Sequence, residues 1–222
     1  MKKLKLFITL AILTTGCAND KVKNVQNKQD TTQTDYKPLV EVGLSETKYS
    51  TNENWVDDFK NFRQAIYTKN NAKLKSYFKF PIVADENSSL WYLVQLNDAD
   101  WKKRKLKYGN KADLFYEEDF DKFANVIFDS DFKQTIMKIK TDKLLKEHYS
   151  ESPKYKKDDY SYQMLVDFQS DEADILYLNM SFGNTAVDEN GENVSEGEHN
   201  NIYKFEVIDG KKIIFNGFTI AG

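Results

Sequence analysis

Apolar positions after residue 52 first follow the period of an α-helix. Four of them share one helical face, with mostly polar residues opposite: Trp55, Phe59, Phe62 and Ile66. Asn52 is the expected N-cap, and Asn70 with Asn71 is expected to interrupt the pattern. A shorter helix is predicted over 72–78, and Pro81 stops it because a proline ring disfavours helix in the preceding residue.

Two segments that follow are predicted to be extended. Residues 90–94 are apolar throughout and predict a buried strand, and residues 114–116 predict a shorter extended piece. The basic run 102–107 lies between two aromatic residues, and we interpret it as an edge strand or loop whose charge discourages strand pairing. The alternative is a basic surface that binds lipid head groups or envelope glycans.

Two more helices are predicted in the next part of the chain. The first is marked by apolar residues at helical spacing: Phe120, Phe123 and Ile127. The second begins after a polar cap that runs from Asp129 to Asp131. Its apolar face is predicted to continue through Phe132, Ile136, Ile139 and Leu144.

The pattern changes to alternation after a polar break at 150–159. Apolar residues then occupy every second position over 160–168, 176–182 and 203–207, which predicts strands that bury one face. Asp209 and Gly210 separate the last of these runs from another one that contains Ile213 and Phe215. Because both turn residues tolerate a positive φ, they predict a tight hairpin.

Helices followed by an antiparallel sheet indicate an α+β domain, with the N-terminal helices packed on one face of a curved sheet. We place this single domain at 53–222. The segments 59–66, 77–82 and 120–132, together with Leu74, resemble envelope proteins with the NTF2-like (cystatin-like cone) fold. That family includes isomerases, dehydratases and transport factors, so the resemblance implies an architecture more than an activity.

The start of the chain has the features of a secretory leader. Lysines precede a short apolar run over 6–13, which is too short for a membrane span. Small residues then lead to Cys17, the only cysteine in the protein. Gly16 followed by Cys17 resembles the processing site of bacterial lipoproteins, which implies a signal peptide at 1–16 and lipidation of Cys17. The alternative is an ordinary secretory leader with a cysteine near its cleavage site.

Lipidation of the only cysteine implies a thiol-free domain held at a membrane by several acyl chains, the condition for stable anchoring. By resemblance to the lipoprotein sorting rule, Ala18 after the cysteine implies the outer membrane of the cell envelope. Residues 17–52 are polar and lack apolar periodicity. We therefore predict that they form a flexible tether between Cys17 and the domain.

Composition narrows the range of partners. The chain has 222 residues, a formal net charge of −3 and 40% hydrophobic residues, which suits one buried core. It lacks the positive excess that nucleic-acid binding needs. Besides the membrane, reached through the lipid anchor, the expected partners are a small ligand, a glycan or an envelope protein; the oligomeric state stays open.

Residues with metal-binding or nucleophilic chemistry are scarce. The only histidines are His148, interpreted as a capping residue at a helix end, and His199, placed in an acidic loop. They are too few for a three-histidine zinc site. The loop 188–198 does not fit the EF-hand spacing and is interpreted as a solvated hairpin loop; the alternative is a loose surface calcium site. No phosphate-binding glycine motif occurs, and we expect neither a metal nor a cofactor.

Two classes of function are compatible with these observations. We favour a membrane-anchored, non-catalytic binding or interaction domain, and we assign no catalytic residue. The alternative is a cone-cavity enzyme, a hydro-lyase or isomerase that uses general acid–base chemistry. Four residues of the types found in such cavities are candidates: Tyr92, Asp100, Asp113 and Tyr162. An interior filled by apolar side chains argues against the enzyme.

Overall fold

The structure is a computed structural model that describes residues 48–83, 90–171, 173–188, 191, 194 and 196–222. The predicted signal peptide, Cys17 and residues 17–47 of the predicted tether lie outside the described residues. The described residues belong to one compact unit, Glu46–Gly222. Among them, no helix is long and apolar enough to cross a membrane.

Helices occupy the first part of the described chain. They are α1 (Trp55–Thr68), α2 (Asn71–Lys75), α3 (Trp91–Val94), α4 (Asp98–Tyr108), α5 (Glu117–Ile127), α6 (Ser130–Ile136) and α7 (Thr141–Glu147), with a 3-10 turn at Gly109–Lys111. The predicted helix at 55–66 is confirmed, but its N-cap is Asn54 and not Asn52, because Asn54 forms a capping box with Asp57. The predicted helix at 72–78 is shorter than expected and ends at Lys75.

An antiparallel sheet follows the helices. Its strands are β1 (Tyr149–Glu151), β2 (Tyr155–Lys157), β3 (Tyr160–Gln169), β4 (Ile175–Asn184), β5 (His199–Ile208) and β6 (Lys212–Ala221). They are ordered β1-β3-β4-β5-β6, and β2 also pairs with β3. The segment 150–159, predicted to be a polar break, therefore contains strand residues that pair along the outer edge of β3.

The helices cover one face of this sheet, so the described chain has the predicted α+β class. The covered face carries the alternating positions of the strands, such as Met164, Leu178 and Phe205, which are fully or almost fully buried. Phe62 of α1 lies at the centre, with ring centroids 5.1 Å from Phe205 and 5.6 Å from Phe128. Aromatic pairs of this kind add about 0.5–1.5 kcal/mol each beyond the burial of their area.

The predicted hairpin is confirmed at the β5–β6 connection. Asp209 and Gly210 have φ values of 52° and 64°, the positive values that the tight turn needs. The carbonyl of Gly210 accepts a hydrogen bond of 2.9 Å from the amide of Trp55. The turn therefore also connects the end of the sheet to the start of α1.

A β-bulge changes which residues of β6 face the helices. The register shifts between Lys204 and Phe205 of β5, so that one extra residue, Asn216, is inserted in β6. Ile213 and Phe215 lie in the core before the bulge, and Phe218 lies in the core after it. Simple alternation does not identify Phe218 as a core residue, because the bulge reverses the phase.

The segment 90–94 is a helical turn and not the predicted buried strand. A short apolar run is compatible with either structure, and here the neighbouring contacts decide. Leu90 and Trp91 are buried, whereas Tyr92 is 49% exposed. The indole Nε1 of Trp91 donates a hydrogen bond of 2.9 Å to the carbonyl of Asp113. The extended piece at 114–116 is reduced to one bridge, between Phe115 and Ile82.

The basic run 102–107 lies in α4, so the prediction of an edge strand or loop is wrong. Five of its six residues are exposed, as expected of a helix side in solvent. Arg104 is the exception, because it is buried and forms an ion pair of 2.6 Å with Asp119 of α5. The run is therefore not one continuous basic surface.

Two predicted helix boundaries are confirmed, at Asp129 and at His148. Asp129 caps α6 as predicted, and its Oδ1 accepts a hydrogen bond from the amide of Phe132. The apolar face does not continue in one helix, however, because residues 137–140 separate α6 from α7. His148 is the C-cap of α7, as predicted, with a φ of 57°.

The last residues of the predicted tether contact the domain. Asn61 of α1 is buried, and its side-chain amide donates hydrogen bonds of 2.8 Å to the carbonyl of Ser50 and to Oδ1 of Asn52. The amide of Ser50 returns a bond of 2.9 Å to Oδ1 of Asn61. Residues 50–52 are thus attached to the first helix.

Candidate functional site

A cleft of about 360 Å³ opens at one end of the sheet. It lies where β3 begins, β4 ends and β5 begins, next to the first turn of α6. Its volume is in the range of small-molecule sites. The walls that carry chemistry are Asp129, Asp131, Asp159, Tyr160, Phe182 and His199.

Strand alternation accounts for the aromatic side of the cleft. In register, Phe182 of β4 lies opposite both Tyr162 of β3 and His199 of β5. These residues share the sheet face that further along carries the buried core residues Met164 and Leu178. Near the strand ends, Phe182 and His199 are only partly buried. The aromatic face of the sheet therefore extends from the core into the cleft.

Asp131 joins the helical side of the cleft to the sheet. It is 5% exposed, and its Oδ2 accepts a hydrogen bond of 2.7 Å from the hydroxyl of Tyr160. The ammonium of Lys157 on β2 lies 3.3 Å from the other carboxylate oxygen. Interactions with Tyr160 and Asp131 raise the pKa of Lys157, and burial followed by the hydrogen bond to Asp131 raises the pKa of Tyr160. Both groups therefore keep their protons at neutral pH.

Asp129 occupies the rim of the cleft at the start of α6. The residue is exposed overall, but partial enclosure of its carboxylate raises its pKa, and the charge of Asp131 adds to the effect. Its hydrogen bond of 2.8 Å from the amide of Phe132 acts in the opposite direction. The helix cap thus places a carboxylate at the cleft where its negative charge is partly desolvated.

His199 is the first residue of β5, so the prediction that it lies in the acidic loop is wrong. Its ring stacks on Phe182 with a centroid separation of 4.7 Å and an interplanar angle of 13°. Its Nδ1 lies 2.9 Å from the carbonyl oxygen of Gly197, which can only accept, so Nδ1 is the donor of this hydrogen bond. The two stacked rings form an aromatic wall of the cleft.

The four candidate cavity residues lie in different parts of the fold. Tyr162 is buried next to the cleft, its hydroxyl donates to Oε1 of Gln134 at 2.9 Å, and burial raises its pKa. Tyr92 follows Trp91 in α3, and the carbonyl of Asp113 accepts the hydrogen bond from the Trp91 indole. Tyr92 and Asp113 are both exposed. Asp100 accepts a hydrogen bond from Asn97 in the first turn of α4.

The structure does not assemble these four residues into one site. Tyr162 contacts residues of α6, β2 and the sheet: Gln134, Tyr155 and Tyr160. Tyr92, Asp100 and Asp113 belong to the segments around α3 and α4. The space between the helices and the sheet holds mutually contacting rings, among them Phe62, Phe78, Phe120, Phe128 and Phe205.

Sequence reasoning missed the cleft itself. It identified Asp129 and Asp131 only as cap residues, and Tyr160 and Phe182 only as part of a buried face. The available signal was that the aromatic alternation runs to the very ends of β3 and β4, next to acidic turns. Within the described residues, no group of histidine, cysteine or acidic side chains is placed to hold a metal ion. Residues 189, 190, 192, 193 and 195 of the acidic loop lie outside that set.

Comparisons with known proteins leave the chain without an assigned family. No family model, no curated protein and no solved structure matches it. The α+β class and the cleft therefore rest on the residues and contacts of this chain itself.

Proposed function

We propose that this protein is a lipid-anchored protein of the bacterial cell envelope, held at the outer membrane through Cys17, whose domain is a non-catalytic binding module of the NTF2-like kind. The helices on one sheet face and the closing meander of four long strands support the NTF2-like architecture. The leader that ends at Gly16 and Cys17 supports the anchor.

The cleft at the end of the sheet is the observation that carries the binding function. It combines a ligand-sized volume with the aromatic wall formed by Phe182 and His199. Two of its acidic side chains have structural roles: Asp131 binds Lys157 and Tyr160, and Asp129 caps α6. Groups that are engaged in this way hold the cleft open and provide recognition, which suits binding more than turnover.

One observation favours the enzyme as a second candidate. Asp129, whose pKa is raised, and His199 line the same cleft, as an acid–base pair in a hydro-lyase or isomerase does. The packed interior argues against it, because the deep cavity that such chemistry uses is filled by aromatic rings around Phe62. We therefore place the binding module first.

The anchor predicts the effect of changing Cys17. We expect Cys17→Ala to abolish incorporation of labelled palmitate and to release the protein from the membrane fraction of the producing bacterium, because no thiol remains for the thioether. Ala18→Asp is the matched control: it retains the label but moves the protein from the outer to the inner membrane. Labelled palmitate on the Cys17→Ala variant contradicts the anchor.

The binding module predicts that small aromatic probes collect in the cleft. We expect benzylamine, benzyl alcohol and benzoate, titrated into isotope-labelled protein, to shift the NMR signals of Phe182 and His199 before those of other residues. Phe182→Ala removes one ring of the aromatic wall and is expected to weaken binding of the best probe by about tenfold, the scale of one lost aromatic contact. Tyr177→Ala, on the opposite face of the same strand, leaves the affinity unchanged. If none of the probes shifts the cleft signals, the binding function is wrong.

A further inference from the structure

The charges that line the cleft are unbalanced. Four of its wall residues are acidic: Asp129, Asp131, Asp159 and Glu196. Lys157 lies 3.3 Å from Asp131 and neutralises it. Among the residues that the structure describes, no basic side chain forms an ion pair with the other three. Three acidic residues thus line one concave space without an ion-pair partner of their own.

The aromatic walls complement this negative charge. Tyr160 and Phe182 both line the cleft, with ring centroids 6.3 Å apart and tilted by 45°. Aromatic faces carry negative electrostatic potential and attract cations as well as flat apolar groups. A cleft with aromatic walls and carboxylates at its rim therefore matches a ligand that is apolar on one side and positively charged on the other.

Partial enclosure in the cleft raises the energetic cost of an unbalanced negative charge. Desolvation, and after it the charge of Asp131, raises the pKa of Asp129, and the hydrogen bond from Phe132 offsets only part of this effect, so its ionised form is incompletely compensated in the cleft. A cation that enters the cleft supplies that compensation. An anion meets repulsion from the same carboxylates, and a neutral ring gains only the apolar contact.

We propose that the cleft selects a small organic cation in which an ammonium group is attached to a flat apolar ring. This proposal rests on the proposed binding function. The ring lies against Phe182 and His199, and the ammonium faces the uncompensated carboxylates of Asp159 and Glu196. Both acids are exposed at the rim, and neither side chain caps any of the helices in the described part of the chain. They can be changed without disturbing the core.

The test compares three probes of equal size and different charge on the full mature chain. We expect benzylamine to bind about five- to tenfold more tightly than benzyl alcohol, and benzoate to bind most weakly, because one cation–π contact and rim carboxylates contribute on this scale. Raising the salt concentration from about 0.05 M to about 0.5 M is expected to remove most of the preference, since rim charges are screened. Affinities are measured by NMR titration of the cleft signals.

Charge-neutral variants identify the residues responsible. The double variant D159N/E196Q is expected to weaken the affinity for benzylamine by about three- to tenfold. The affinity for benzyl alcohol is expected to change by less than about twofold, because only the charge is removed. The double variant E53Q/E147Q removes the same number of charges at two exposed positions outside the cleft and serves as the remote control. Circular dichroism confirms that the variants keep their fold.

The possible outcomes separate the two proposals. Binding of all three probes in the cleft with equal affinity, or a preference for benzoate, overturns the cation selectivity and leaves the binding function standing. A benzylamine preference that survives D159N/E196Q also overturns the assignment to these carboxylates. If none of the three probes binds in the cleft, both proposals are overturned.

Discussion

Arg104→Met is expected to lower the free energy of unfolding by about 3–5 kcal/mol, the cost of leaving a buried charge without its partner. The side chain is 8% exposed, and its two terminal nitrogens lie 2.6 and 2.8 Å from the two carboxylate oxygens of Asp119. The guanidinium also donates to the carbonyls of Ala112 and Leu114 at 2.5 Å. One residue therefore connects α4, the following turn and α5.

Aromatic rings enclose this ion pair. The guanidinium carbon lies 4.3 Å from the ring centroid of Trp91 and 4.8 Å from that of Tyr108. Asp119 additionally accepts a hydrogen bond of 2.8 Å from the amide of Tyr116 at the start of α5. Loss of Arg104 thus leaves one carboxylate and two carbonyl groups with unmet hydrogen-bonding capacity in a partly apolar environment.

Two further variants test this explanation by urea denaturation. Arg104→Lys keeps the charge but lacks the planar fork that satisfies both Asp119 oxygens, so we expect an intermediate loss. Lys103→Met changes an exposed neighbour in the same helix, with 79% of its side chain in solvent, and is expected to change stability by less than about 0.5 kcal/mol. Equal effects of Arg104→Met and Lys103→Met contradict the role of the buried pair.

Asp58→Ala is expected to lower the free energy of unfolding by about 1–3 kcal/mol, because it leaves the buried amide of Ile213 unpaired and leaves the Tyr77 hydroxyl only the backbone carbonyl of residue 58, at 3.3 Å, as an acceptor. Asp58 of α1 is 4% exposed. Its Oδ2 accepts a hydrogen bond of 3.0 Å from the amide of Ile213 in β6, and its Oδ1 accepts one of 3.2 Å from the hydroxyl of Tyr77. A single carboxylate therefore attaches the first helix to the last strand.

Tyr77 provides the matched partner for a double-mutant cycle. Its hydroxyl is buried, and burial with the nearby charge of Asp58 raises its pKa, so it acts as a donor at all ordinary pH values. In the Asp58→Ala background, Tyr77→Phe is expected to cost less than in the original protein, since its hydroxyl has already lost that acceptor. Strict additivity of the two changes in stability shows that the contact does not contribute.

Periodic patterns were sufficient to predict most of the fold. The helix at 55–66, the helix around Phe120 and the closing strands were identified from the spacing of apolar residues, which depends on local geometry alone. The turn at Asp209 and Gly210 was identified because few residues tolerate its backbone angles. These features depend on residues that are close together along the chain, so they can be predicted from the sequence.

The errors occurred where a distant contact decides the structure. Residues 90–94 have no local preference that excludes a strand, and the docking of Trp91 onto the carbonyl of Asp113 selects the helical turn. Arg104 is indistinguishable from its lysine neighbours until Asp119 is placed beside it. Phe218 enters the core only because the bulge at Asn216 shifts the register.

The sequence by itself determined the α+β order of elements, the faces that most strands bury and the presence of one cysteine at the end of a leader-like segment. Only the tertiary structure decided that Asp131, Lys157 and Tyr160 meet, and that Phe182 and His199 form the wall of a cleft. The physical reason is that periodicity specifies which face of an element is apolar. How much of the apolar sheet face is covered depends on how α6 packs against the ends of β3 and β4. The cleft forms where the helix no longer covers the sheet.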